Sequence, residues 1–486
     1  MGPRRDRLTP AAACVIAGAI AAGLVTSCGR ERPGLEPRHV LLVTVANLRA
    51  DRCSFLMHDR PTTWVPSDEL MRMEERAFGI DDLAADGVSF ARCFAPSPVR
   101  DVSLATLMSS RPPLENGVTQ AGDLLPGEMI TLGEAFRAGG FTTAAFLGGS
   151  TPPDESFLRG FDTTETFASD LEALRAASRW LARDPGMDER TLVWVHIEGL
   201  APPWIPRDTI EEADAILEGR VFVDPAYDGA LDGSAQSIRR VNAGELVPSA
   251  VDREALLAQY DRQVAHTSAV IWTGLHDAYD FHTAAAEASE TWPRTLFVLA
   301  GLNGIELLER GSIGTAGTLS DAVLHVPLIL RHPDSLTGER IFDDVVGLAD
   351  VAPTLLEWMR LPPLPLARGR SLLGVTDSYV EREFPAAPAF AQLPDRGVFS
   401  VRDGDWRLVW NPLRAQPADR AASAPPLAEI ALYDLGSDPS GTRDVAASHP
   451  EVATRLVSAI RAWRERQTVF PPEKRPIPRP QLRARE

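Results

Sequence analysis

The apolar positions of the chain fall into runs of two kinds. His39 to Val45 (HVLLVTV) is β-rich and apolar without alternation, the pattern of a strand covered on both faces. Thr191 to Ile197, Thr295 to Ala300 and Val326 to Leu330 repeat it. Between these runs lie segments of helical period. The clearest starts at Ser169, where Glu172 completes a capping-box sequence and Leu171, Leu174, Ser178 and Leu181 recur at helical spacing. Buried strands alternating with amphipathic helices predict an α/β fold, a central, mainly parallel sheet between helical layers. Ligands of such sheets bind beyond the carboxyl ends of the strands, so chemistry is expected in the loops that follow the four runs.

The pattern changes twice along the chain. Residues 207–256 are acidic, irregular and rich in Gly, Pro and Asp, and read as a lid-like excursion over the face where the strands end. Past residue 375, Gly397 to Trp410 predicts two short strands around the Arg402-Asp403-Gly404-Asp405 turn, and Ile430 to Leu435 predicts another. His449 to Arg464 reads as a helix with Val452, Leu456, Ile460 and Trp463 on one face. A main domain over 39–375 is therefore expected, followed over 376–469 by a small antiparallel sheet with a closing helix. The tail, 470–486, is proline-rich and basic and is expected to be disordered.

The front of the chain has a different character. Arg4, Arg5 and Arg7 precede an apolar run from Ala11 to Val25, short for a bilayer span and shaped like the core of an export signal. It ends in Val25-Thr26-Ser27-Cys28, which resembles a bacterial lipobox, whose cysteine is lipidated and begins the mature protein. Residues 1–27 are accordingly expected to be a signal peptide and 28–38 a tether. The resulting location is the cell envelope, on the extracytoplasmic side, with the membrane as partner through the lipid. Cys14 leaves with the signal and Cys28 is acylated, so Cys53 and Cys93 remain to pair or stay free. The composition, 44% hydrophobic and 24% charged, is that of an ordinary globular protein. A formal net charge of −18 argues against nucleic acid as a partner, because phosphate recognition wants a basic surface.

Several segments carry a resemblance by their order. Val40 to Val45 with Leu48-Arg49-Ala50-Asp51 comes first, then Gly87-Val88-Ser89-Phe90 through Leu107 to Pro113 and Asn116-Gly117-Val118. Leu132 to Gly149, Arg159 to Asp162, Trp194-Val195-His196, Val326 to Ile329, Asp350 to Leu355 and Leu432 to Leu435 follow. Over about residues 39 to 466 the series resembles bacterial sulfatases of the alkaline phosphatase superfamily. The resemblance implies an alkaline-phosphatase-like α/β/α sandwich and a divalent cation, usually calcium, held by carboxylates with Asn or His. It also implies a nucleophile, made from Cys or Ser in a Cys-x-Pro-x-Arg motif, that attacks the sulfur of a sulfate ester.

At nearly every one of those positions this sequence departs from the pattern. Ala46-Asn47-Leu48-Arg49-Ala50-Asp51 stands where relatives have Asp-Thr-Leu-Arg-Ala-Asp, so Ala46 removes a carboxylate and Asp51 is left for a structural role. Arg100-Asp101-Val102-Ser103-Leu104 stands in the nucleophile register, and arginine is no nucleophile. Cys93 precedes that register without the motif's proline and arginine, which leaves it packing or a disulfide with Cys53. His196 survives after its strand, whereas Ala201 replaces a second histidine. Leu302 takes the place of a ligand carboxylate and Asn303 offers only a neutral oxygen; Thr315-Ala316 replaces a further His-Gly. His276, Asp277, Asp280 and His282 have a spacing that suits a metal but read as a solvated helix surface. No cofactor is expected, the family's calcium being lost with its ligands.

The resulting expectation is a membrane-tethered, catalytically inactive binding or assembly protein, whose protein partner the sequence does not name. An active sulfuric or phosphoric ester hydrolase with noncanonical groups and a structural lipoprotein without a ligand are the alternatives. Arg100 arrives as carboxylates leave, so with Ser103, His196 and Asn303 it is expected to bind a small anion or an acidic or sulfated ligand, or else to pair with Asp101 and plug the site. Mass spectrometry of the protein from its native host is expected to find a lipidated Cys28 as its first residue, and Cys28→Ala is expected to remove the protein from the membrane fraction. An intact Met1 or a bare Cys28 contradicts the signal reading.

Overall fold

The computed structural model describes residues 37–56, 58, 62–63, 79–183, 189–204, 224, 226–279, 294–315, 317–332, 336, 340–376, 387–414, 428–470 and 473–474. The signal, the tether up to residue 36 and the tail beyond 474 lie outside the described residues; in the tail expected to be disordered, Glu473–Lys474 pairs antiparallel with Asp123–Leu124. The apolar run His39–Val45 forms strand β1 at the centre of a nine-stranded sheet. The others used below are β2 (Val88–Phe94), β3 (Thr142–Leu147), β4 (Thr163–Thr166), β5 (Thr191–Ile197), β6 (Thr295–Gly301), β7 (Leu328–Arg331) and β8 (Arg340–Gly347). Across the sheet the order is β2, β7, β6, β1, β5, β3, β4, with β8 and the short His325–Val326 segment alongside β2. β1 runs parallel to both β5 and β6, in a register that sets Val45 opposite Ile197 and Gly301. Three strands therefore end level.

One expectation is corrected within the sheet. The run from Val326 to Leu330 is not one strand: Pro327, which has no N–H to donate, splits it, and β7 lies antiparallel to β6 and β2. The sheet is mostly parallel with an antiparallel insertion.

Both faces are covered, which is why these strands lack alternation. On one face Leu42, Trp194 and Val298 pack under Val102, Leu104 and Met108, the first and last of these being at or near the two ends of helix α1 (Arg100–Ser109). On the other, Leu41, Val193 and Phe297 pack under α2 (Asp170–Ala182) and the long helix α4 (Ala250–Tyr279). The helix read from Ser169 is α2, with Leu171, Leu174, Ser178 and Leu181 buried, but Ser169 caps it without the side-chain bond a capping box requires. Cys53 and Cys93 are buried free thiols belonging to these two different cores, so the structure does not join them in a disulfide. The acidic excursion is more regular than its composition suggested: it contains α3 (Ala235–Asn242) and the start of α4. No helix among the described residues is long and apolar enough to cross a membrane.

The C-terminal segments form an antiparallel sheet of β9 (Ala389–Leu393), β10 (Val398–Asp403), β11 (Trp406–Trp410) and β12 (Ile430–Asp434), on which α5 (Pro450–Glu465) lays Leu456 and Ile460. The edge strand β9 was not expected from sequence. Arg407, at the centre of this sheet, is buried and ion-paired with Asp321, and Arg402 reaches the same carboxylate at 3.5 Å. Burial works to raise the pKa of Asp321, and the two guanidinium groups outweigh it and hold the carboxyl below its ordinary range.

Breaking a buried pair from one side leaves the other charge uncompensated. Asp321→Ala is expected to cost ~3 kcal/mol in urea unfolding. The sign of the pH dependence follows from the depressed pKa: the stabilisation is present above the unfolded carboxyl pKa and is lost as the pH falls through the lower folded value. Unfolding of the alanine variant that matches wild type at neutral pH contradicts this.

Candidate functional site

The level ends of β1, β5 and β6 place three loops side by side, where the resemblance expects cation and nucleophile. Ala46 follows β1, buried, its N–H donating to Ile197 O at 3.0 Å. Asn47 then turns the chain at φ 59°, a left-handed conformation that Asn tolerates better than most residues. After β6, Leu302 points into the core and Asn303 is buried beside Asn47. The two amides satisfy each other: Asn303 Nδ2 donates to Asn47 Oδ1 at 2.7 Å, and the Asn47 N–H donates to Asn303 Oδ1 at 3.3 Å. Asn303 Nδ2 also reaches Gly304 O at 2.9 Å. From α4 the Tyr260 hydroxyl donates to Asn47 O at 2.6 Å and accepts the Arg49 N–H at 3.1 Å. Behind this turn Arg49 is buried, forked on Asp51 and bonded to Glu309 and Ile305 O, which gives Asp51 a structural role.

Arg100 is the first residue of α1. Its Nε and Nη2 contact Asp101 Oδ1 at 2.8 and 2.7 Å, and its Nη1 donates to Thr151 O at 2.6 Å and lies 3.5 Å from Glu198 Oε1. The fork, expected either to stand open for an anion or to pair with Asp101, is taken by the chain's own groups, two carboxylates facing one guanidinium. Ser103 is equally committed, its hydroxyl donating to Ser97 O at 2.8 Å. His196 is buried within the sheet, its Nδ1 3.0 Å from Thr44 Oγ1, which also accepts the Trp194 indole N–H at 2.9 Å. Its Nε2 is buried and has no hydrogen-bond partner. Burial, and secondarily the nearby Arg100 charge, push the pKa of His196 well below its ordinary value, so the ring is neutral.

Glu198 was missed by sequence reasoning, although an acidic residue directly after a buried strand was a legible signal. Its Oε2 accepts the N–H groups of Ser150 and Thr151 at 2.8 and 3.0 Å, and its Oε1 accepts the Thr151 hydroxyl. The loop comes this close because Gly149 has no side chain. Its φ is 94°, and a Cβ there would lie 2.3 Å from Glu198 Oε2. Asp170, at the start of α2, accepts the Glu198 N–H at 3.1 Å through Oδ1 and so fixes the strand end from below.

These groups do not fit the cation that the resemblance implies. A hard divalent ion needs several anionic oxygens. The strand ends offer a methyl group, a leucine and two amides bonded to each other, while the carboxylates nearest Arg100 are already engaged. No group of three or more His, Cys, Asp or Glu among the described residues is arranged to hold a metal. The side chains of the His276, Asp277, Asp280 and His282 cluster lie outside the described residues.

Comparison with known proteins bears on this geometry. The phosphonate monoester hydrolase of Agrobacterium radiobacter is similar with a TM-score of 0.63 at 18% identity, covering 91% of this chain and 100% of that one. The phosphonate monoester hydrolase of Silicibacter pomeroyi gives 0.62 at 18% identity, covering 89% and 96%. At such identities the likeness is one of fold. Arylsulfatase K of Gallus gallus is 27% identical over 147 residues, 28% of this chain, and the match spans only 25% of that relative's length. The profile of the sulfatase family matches residues 39–361, most of the chain and all of the nine-stranded sheet. The chain belongs to the sulfatase family.

Proposed function

We propose that this sulfatase-family chain is held at a membrane by a lipid on Cys28 and works there in binding or assembly, its ester-cleaving chemistry lost. One observation carries the reading: Ala46, Arg100 and Leu302 stand where a ligand, the nucleophile and a second ligand are expected, with Asn47 and Asn303 closed on each other between the strand ends. Without a nucleophile the first bond to sulfur has no electron pair to form it, and without a divalent cation the developing charge meets only the Arg100 guanidinium, which already faces two carboxylates. No cation is part of the reading.

The alternative, an ester hydrolase with noncanonical groups, would rest on the unpartnered Nε2 of His196, but burial and the Arg100 charge make that imidazole a weak base, which favours the first reading. The full-length protein, purified in detergent, is expected to turn over neither an aryl sulfate nor an aryl phosphate in an EDTA-sensitive way. Arg100→Cys alone is expected to restore nothing, since losing such a group typically costs orders of magnitude and the cation site is gone as well. Wild-type turnover abolished by EDTA contradicts the proposal, and turnover abolished by His196→Ala establishes the alternative.

A further inference from the structure

The donors around Glu198 converge as they would on a ligand. Two backbone N–H groups, of Ser150 and Thr151, meet one carboxylate oxygen at 2.8 and 3.0 Å; the Thr151 hydroxyl and, at 3.5 Å, the Arg100 guanidinium meet the other. Successive N–H groups that point at one spot form an anion-binding concavity, and an arginine facing it adds fixed charge. The cage is built rather than incidental. Gly149 opens the space for the carboxylate, and the Arg100 bond to Thr151 O at 2.6 Å ties the loop to α1. Its present occupant is the end of a side chain from another strand.

We propose that these strand ends form a carboxylate-binding cage capped from within by Glu198, which the carboxylate of an acidic ligand displaces. The shape of the occupant defines the class. One planar carboxylate fills the cage, one oxygen on the two N–H groups and the other on the hydroxyl and guanidinium, so a ligand presenting a carboxylate reproduces every contact. Asp101 already takes the remaining face of Arg100 and offsets its charge, so the cage holds a carboxylate by its hydrogen bonds, and a doubly charged tetrahedral anion is disfavoured. A site that its own side chain fills binds an external ligand more weakly by the fraction of time it stands open. The cap thus sets a threshold, and a ligand needs contacts elsewhere on the face to pass it. This deepens the reading above and rests on strand ends that bind instead of cleaving; the two fail separately, because carboxylate binding is read without turnover.

The test is chemical rescue of the full-length protein in detergent, with sodium acetate as the probe and sodium chloride and sodium sulfate at equal ionic strength as controls. Glu198→Ala leaves the donors unpaired. Acetate is expected to bind that variant at least tenfold more tightly than wild type, raising its melting temperature, and Glu198→Ala with Arg100→Ala is expected to lose the gain. If Glu198→Ala folds only with acetate present, the proposal is supported in the same way. Should it fold under no condition, Glu198→Gln replaces it: the new amide N–H group meets the cage donors unfavourably, so acetate is expected to stabilise that variant more than wild type. The proposal is overturned if acetate acts equally on wild type and both variants, if neither responds, if the gain survives loss of Arg100, or if sulfate binds the open cage more tightly than acetate.

Discussion

The structure depends on the level register of β1 with its two parallel neighbours. Because Val45 sits opposite both Ile197 and Gly301, the chain leaves the sheet three times at one height, and Asn47, Glu198 and Asn303 are brought to one edge by backbone hydrogen bonding alone. Strands covered on both faces hold that register firmly, since a slip moves every buried side chain to the wrong layer. The sulfatase-family scaffold therefore persists whatever its loops carry.

What the loops carry is a different solution to the same electrostatic demand. Polar groups buried at strand ends must be paired, at a penalty of roughly 1–3 kcal/mol for each one that is not. In a metal site a cation provides the pairing. Here the pairing is internal: amide to amide at Asn47 and Asn303, and guanidinium to two carboxylates at Arg100. Tyr260, from the long helix α4, closes the Asn47 turn. His196 keeps a buried Nε2 without a partner.

The central strands were legible because length, β-branching and lack of alternation mark a doubly covered strand, and His39–Val45 and Thr191–Ile197 coincide with β1 and β5. The antiparallel direction of β7 was not, since a run of four apolar residues carries no sign of its neighbour's direction. Strand β9 was hidden because Ala389 to Leu393 owes its place to pairing with β10. At the site, the expectation that groups are missing at Ala46, Arg100 and Leu302 came from the family pattern, against which an absence is visible. The sequence did not single out Glu198, whose role depends on the backbone N–H groups of another loop, and of the two roles it offered Arg100 the pairing with Asp101 is the one seen, with the bond to Thr151 O unforeseen.

The central claim is that internal pairing has taken the place of the cation at these strand ends. Calcium titration of the full-length, EDTA-treated protein, followed by calorimetry and by its melting temperature, tests this most directly. The account predicts no stoichiometric heat and no shift in melting; one equivalent of calcium bound, with stabilisation that EDTA reverses, would contradict it.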